Sequence, residues 1–159
     1  MPRIIPNLWF DTQSQEAAAF YCAVFPRSRI TRVTHYGEAG PRPAGLVLTV
    51  EFELDGQPYT AINGGPEFTF TEAVSLQIDC SGQAEVDHYW ERLTADGGQE
   101  GPCGWLKDKY GLSWQVVPRE LEELLHDPDP ARADRAMRAM LTMGKLEVAA
   151  LRAAADGDG

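Results

Sequence analysis

The chain has 159 residues, 43% of them hydrophobic and 9% aromatic, with a formal net charge of −10 at pH 7. That composition excludes a disordered chain and can supply a buried core, while the acid excess excludes a face for a phosphate backbone. No apolar run approaches the ~20 residues of a membrane span, and "MPRIIPNLWFD" at the N-terminus lacks the apolar stretch and cleavage site of a signal peptide, so a cytoplasmic protein is expected.

The elements come in a repeating order. "LWFD" (Leu8 to Asp11) reads as a strand, and Ala17, Phe20, Tyr21 and Val24 follow at the spacing of a helix face. After the loop "GEAGPRPAG" comes the clearest strand, "LVLTVEFEL". Leu46, Leu48, Val50, Phe52 and Leu54 share one of its faces; Val47, Thr49, Glu51 and Glu53 share the other. "GQPYTAI" (Gly56 to Ile62) reads as the next strand, and "INGGP" as a turn whose backbone could also close over a ligand. The order then begins again. "LQID" (Leu76 to Asp79) echoes "LWFD", and Val86, Tyr89, Trp90 and Leu93 repeat the helical spacing. "GLSWQVV" (Gly111 to Val117), entered through an Asp-Lys-Tyr-Gly turn, echoes "GQPYTAI". Three echoes in one order predict two tandem βαβββ modules.

Helices must cover the apolar faces, so strand parity assigns the opposite faces to a ligand or solvent. Those faces carry Asn7, Trp9, Thr49 and Thr60, then Ser75, Gln77, Ser113 and Gln115, with Glu51 and Glu53 as their charged members. By the glycine echo, Thr60 is the repeat equivalent of Gln115. Glu51 and Glu53 would need desolvation to serve as a general base, and Cys103 has no flanking base to make it a nucleophile. Cys22, Cys80 and Cys103 contain no C-x-x-C, which argues against a disulfide framework or zinc site. His35, His88 and His126 read as scattered surface or core residues.

Beyond Pro118, "RELEELLHD" reads as a short helix with Leu121, Leu124 and Leu125 on one side. Asp129 is the expected N-cap of a further helix, with Pro130 at its first position. Ala133, Met137, Met140, Leu141, Gly144, Val148 and Leu151 are expected to form one apolar stripe. Such a stripe is more apolar than a lone domain should expose, so a homodimer is expected. The anticipated organisation is one domain over residues 1–118, with modules at about 3–70 and 73–118, and a C-terminal helical extension over 119–159.

The stretches "LWFDTQSQEAAAFYCAVFPRSRI", "FELDGQPYTAINGGPEFTF" and "CGWLKDKYGLSWQVVP" resemble the vicinal oxygen chelate superfamily of glyoxalase I, bleomycin-resistance proteins and extradiol dioxygenases. Within it the likeness is to the PhnB-like group, often labelled 3-demethylubiquinone-9 3-methyltransferase. The resemblance implies an α+β fold whose paired modules curl into a cup-like mixed sheet, helices outside, usually in a dimer. In metal-using members, His, Glu or Gln from the first and last strands of each module hold a divalent ion. Those positions fall here around Ile5 to Asn7, Ala73 to Ser75, Thr60 and Gln115, and only Gln115 is a plausible ligand. No metal and no cofactor are therefore expected. Gln115 would instead hydrogen-bond a ligand or its own neighbours. The expected function is binding of a small molecule in the cup, with or without metal-independent chemistry; the alternative is a sequestering protein of the bleomycin-resistance type. A doubly wound methyltransferase would show a glycine-rich loop after its first strand, and none is present.

Overall fold

Val50, Phe52 and Leu54 are buried while Thr49, Glu51 and Glu53 stay partly exposed, so the alternation in "LVLTVEFEL" fixes which face a helix covers. The computed structural model describes residues 2–158. Its first module runs β1 (Asn7–Phe10), α1 (Ser14–Val24), β2 (Arg29–His35), β3 (Val47–Leu54) and β4 (Gln57–Asn63). The sheet order is β1-β4-β3-β2, with β1 parallel to β4 and the remaining pairs antiparallel. Ala17 and Ala18 are fully buried and let α1 lie close to the sheet, and Tyr21 stacks on Phe52 at 6.3 Å between centroids. The N-terminus of α1 is tied down by Asn63: its Oδ1 accepts from Ser14 N at 2.9 Å, and its Nδ2 donates to Val47 O at 3.0 Å. Asp55 and Gly56, at φ 48° and 84°, form the two-residue turn that matches the strand twist between β3 and β4.

The second module repeats the order: β5 (Ser75–Cys80), α2 (Gln83–Thr94), β6 (Gln99–Glu100), β7 (Trp105–Lys107) and β8 (Ser113–Pro118). Its sheet is β5-β8-β7-β6, again with the first strand parallel to the last. The α2 face is the expected one, with Val86, Tyr89, Trp90 and Leu93 all buried. The "DKYG" turn is organised by one buried carboxylate. Asp108 Oδ1 accepts from Tyr110 N at 2.8 Å and Leu112 N at 3.1 Å, and Oδ2 accepts from Trp114 Nε1 at 2.9 Å. A carboxylate that satisfies two backbone donors and the indole of the central strand fixes both the turn and the packing of Trp114.

Three helices follow: α3 (Arg119–Leu125), α4 (Pro130–Met140) and α5 (Val148–Asp156). Asp129 caps α4 as expected, accepting from Ala131 N at 3.0 Å, with Pro130 at the first turn. The single stripe from Ala133 to Leu151 is corrected by the structure, because the chain leaves the helix after Met140 and resumes it at Val148. Between them Met143 O accepts from Cys103 N at 2.7 Å and Gly144 O from Gly104 N at 2.9 Å. The linker thus pairs with the backbone ahead of β7 and gives up helical bonds to do so. Leu146 is inserted behind it, fully buried with Val117, Leu121 and Leu151. A Cβ on Gly104 would meet Leu146 Cδ1 at 2.9 Å and Val116 O at 3.0 Å, at a φ of 84°, so glycine is required for this approach. The described chain forms two compact units divided after Phe70, and the C-terminal helices lie in the second.

Replacing Asp108 by alanine would leave two backbone donors and an indole N–H without their acceptor in the interior. Urea denaturation should show a loss of roughly 2–4 kcal/mol; a loss below that range would refute the role assigned to this carboxylate.

Candidate functional site

The face of the second sheet opposite α2 is built by strand register, and its Val117 end is covered by Leu121, Leu146 and Leu151. Gln99 lies opposite Lys107, Lys107 opposite Ser113, and Ser113 opposite Ser75, so four polar side chains cross all four strands in one row. The next row holds Trp105, Gln115 and Gln77. A cavity of about 460 Å³ opens over the β6–β7 side of this face. Ser113 and Lys107 lie in its floor, Trp105, Pro102 and Cys103 in its walls, and Glu72 at its edge, where it forms an ion pair with Lys107. That pairing, with the backbone hydrogen bond of Glu72 adding to it, holds the Glu72 carboxyl below its ordinary range. Ser113 is only 1% exposed, and its hydroxyl has no hydrogen-bond partner.

The residues anticipated from parity are placed on the expected faces, with different partners. Gln115 Nε2 donates to Ser75 Oγ at 2.9 Å, so this amide satisfies a neighbour within the sheet. Gln77 is exposed beside it. In the first module Thr60 lies opposite both Asn7 and Glu51. Thr60, Glu51 and Glu53 line a smaller groove of about 180 Å³. Arg32 and Arg29 approach Glu51 and Glu53 at 3.9 and 3.5 Å on an open surface, which leaves both carboxylates solvated. Asn7 donates to Ile5 O at 3.0 Å, and Thr49 Oγ1 lies 2.5 Å from Thr34 Oγ1. The Trp9 ring lies under the "INGGP" turn: its Nε1 donates to Gly65 O at 2.9 Å, and a Cβ on Gly64 would fall 2.3 Å from the ring. The turn therefore closes over a side chain of its own module.

The equivalence of Thr60 with Gln115 needs correction. Alignment of the first strands matches Asn7 with Ser75, and the parallel registers then match Thr60 with Ser113. The two glycines that suggested otherwise belong to different turns, a two-residue hairpin at Gly56 and the longer Asp108 turn at Gly111. A shift of two residues preserves the face, so parity survives. Lys107, Gln99 and Trp105 were missed because the short "WLK" strand gives too few residues to show alternation.

A divalent transition metal does not fit these positions. Asn7, Thr60, Ser75 and Ser113 offer only amides and hydroxyls, and Gln115 adds another amide, without the imidazole, thiolate or carboxylate such ions take. Among the described residues, no three or more His, Cys, Asp or Glu side chains are grouped to hold a metal ion. His35, His88 and His126 are exposed on separate elements. The thiols differ in environment. Burial, with the Glu85 and Asp79 carboxylates adding to it, pushes Cys80 up to about 12; burial also raises Cys22. Cys103 is half-buried in the cavity wall at φ 57°.

Two βαβββ sheets in tandem, each with one helix-covered face and one polar face, define a vicinal oxygen chelate fold. The chain belongs to the 3-demethylubiquinone-9 3-methyltransferase family, whose model matches residues 2–117. A Bacillus cereus PhnB protein carrying that methyltransferase name is 33% identical, across 74% of this chain and 99% of its own, with a TM-score of 0.65. Protein PA1353 of Pseudomonas aeruginosa shares the fold at 18% identity, across 74% of this chain and 98% of its own, TM-score 0.62. So does the fosfomycin resistance protein FosX of Listeria monocytogenes, solved with Mn(II) and sulfate, at 20% identity, across 78% and 97% of the two chains, TM-score 0.53. No curated protein matches the chain.

Two measurements follow from this geometry. Elemental analysis of protein purified without chelators should find no stoichiometric zinc, nickel, manganese or iron; near one equivalent of any of them would overturn the donor-set argument. Titration of the native protein with a thiol reagent at pH 8 should leave Cys80 unreacted until denaturant is added, because so high a pKa leaves almost no thiolate there. Rapid labelling of all three thiols would contradict it.

Proposed function

We propose that this protein binds a small organic molecule on the polar face of its second module, without a metal ion. The observation that carries this reading is the buried Ser113 hydroxyl, unpartnered in the floor of a cavity large enough for a metabolite. An unmade hydrogen bond in the interior costs roughly 1–3 kcal/mol, and a ligand would supply it. Trp105 offers an apolar wall, which suits the usual mix of aromatic surface and few polar groups in a ligand site. Gln115, Ser75 and Gln77 extend the polar surface beside the cavity, and Asn7, Trp9, Thr49 and Thr60 furnish the corresponding face of the first module.

Binding without catalysis is favoured over chemistry. Glu51 and Glu53 are solvated, Lys107 is held in an ion pair with Glu72, and the cavity lining offers Cys103 and Ser113 no histidine as a base. Methyl transfer of the doubly wound kind is disfavoured as well. The link from β1 to α1 reads Asp-Thr-Gln and offers no glycine-rich cradle for a cofactor.

A thermal-shift screen of metabolites should find ligands that raise the melting temperature of the wild type and fail to do so for Trp105→Ala. Ser113→Ala should weaken such a ligand about five- to hundredfold, the equivalent of roughly 1–3 kcal/mol, with little change in stability. A full library that shifts nothing, or a ligand indifferent to both substitutions, would refute the site.

Self-association belongs to the same proposal. Val148 and Leu151 are consumed by the core, but Met137 remains 38% exposed on α4 and Leu141 61% exposed at its C-terminal cap. Light scattering should give twice 17.5 kDa, reduced to the monomer by Leu141→Lys; a wild-type monomer at micromolar concentration would end this reading.

A further inference from the structure

The cavity floor has a directional chemistry that narrows what it can hold, given that it is a ligand site at all. Gln99, Lys107 and Ser113 are cross-strand neighbours with Cα atoms about 5 Å apart, so residues bearing an amide, an ammonium and a hydroxyl follow one another on three adjacent strands. Each of the three carries a hydrogen-bond donor on the same face of the sheet. Of the two carboxylates that line the cavity, Glu100 accepts from Trp90 Nε1 at 2.7 Å. Among the described residues, Glu72 is the carboxylate that pairs with Lys107. It precedes β5 on irregular backbone with its side chain 62% exposed, against 37% for Lys107, and it leaves the Ser113 hydroxyl without a partner. An exposed pair of this kind contributes little to stability.

We propose that the ligand of this cavity is an organic carboxylate with an apolar or aromatic body, and that it displaces Glu72 from Lys107 when it binds. One carboxylate oxygen takes the place of Glu72 on the ammonium. The other reaches the Ser113 hydroxyl, which Glu72 does not serve, with Gln99 as a further donor. The apolar body lies against Trp105 and Pro102. An amine would meet Lys107 as a like charge. A neutral amide would satisfy Ser113 but gain nothing from the ammonium. Glu72 then acts as a tethered internal counter-ion, released to solvent that already reaches it.

The test uses a panel of aryl and alkyl carboxylates, phenylacetate among them, each paired with its primary amide and with the corresponding amine or phosphonate. Binding to the full chain is followed through the backbone resonances of Lys107 and Ser113 and the Trp105 indole. Carboxylates should bind at least tenfold more tightly than their amides and amines. Lys107→Met should abolish that preference and leave amide binding unchanged. Glu72→Gln should tighten the carboxylates a few-fold by removing the competitor. Ser113→Ala should weaken them while leaving the melting temperature of the free protein unchanged or higher, since it deletes an unpaired buried hydroxyl. Amides, amines or phosphonates that bind as well as the acids, or acids indifferent to Lys107→Met, would overturn the inference and leave the cavity standing as a ligand site. A fall in melting temperature for Ser113→Ala would also count against it, by showing that the hydroxyl has a structural partner. No perturbation of the cavity by any member would refute both readings.

Discussion

Pairing the first strand of a module in parallel with its last requires the chain to leave the sheet between them, since parallel neighbours cannot be joined by a tight hairpin. In each module the excursion is a helix, and it must pack on the face it crosses. Ala17, Ala18, Tyr21 and Val24 in the first module, and Val86, Tyr89, Trp90 and Leu93 in the second, are the buried result. The crossover helix leaves the other face to polar side chains, except where Leu121, Leu146 and Leu151 cover Val117 in the second module. The ligand face is thus a by-product of the crossover, and its composition is set by which residues parity places there.

This constraint explains how much could be read in advance. Period-two alternation in β3 and period-3.6 spacing in α1 and α2 are long enough to register, and through them the tandem modules and both faces were legible. The exact partners were less so. Matching Gly56 with Gly111 treated two different turns as one, and only the pairing of Asn7 with Thr60 and Ser75 with Ser113 shows the slip. The row through Lys107 was invisible because β6 has two residues and β7 three. The apolar stripe of the C-terminal region misled for another reason. Helical spacing is local, whereas the break after Met140 is imposed from outside, by backbone hydrogen bonds to Cys103 and Gly104 and by the site that receives Leu146.

Family membership and chemistry separate in this protein. The family model spans both modules, and FosX shows that the same fold can be solved with Mn(II). Yet Ser113 stands at the last-strand position of the second module, and Thr60 at that of the first. Hydroxyls at both places add no charge, and the ion pair at the cavity, Glu72 with Lys107, lies to one side of them. A fold that elsewhere holds a cation is here lined with hydrogen-bond donors.

The docking of Met143 and Gly144 against Cys103 and Gly104 breaks the likeness between the two modules. In the second module the backbone ahead of β7 has a partner from outside the repeat. Cys103 and Pro102 form a wall of the cavity, so the rigidity of that wall is supplied by a segment some forty residues away in sequence. Drift in the tail sequence is thereby coupled to the shape of the binding surface. Chains that share the modules but end soon after the last strand would have to brace the same wall by other means.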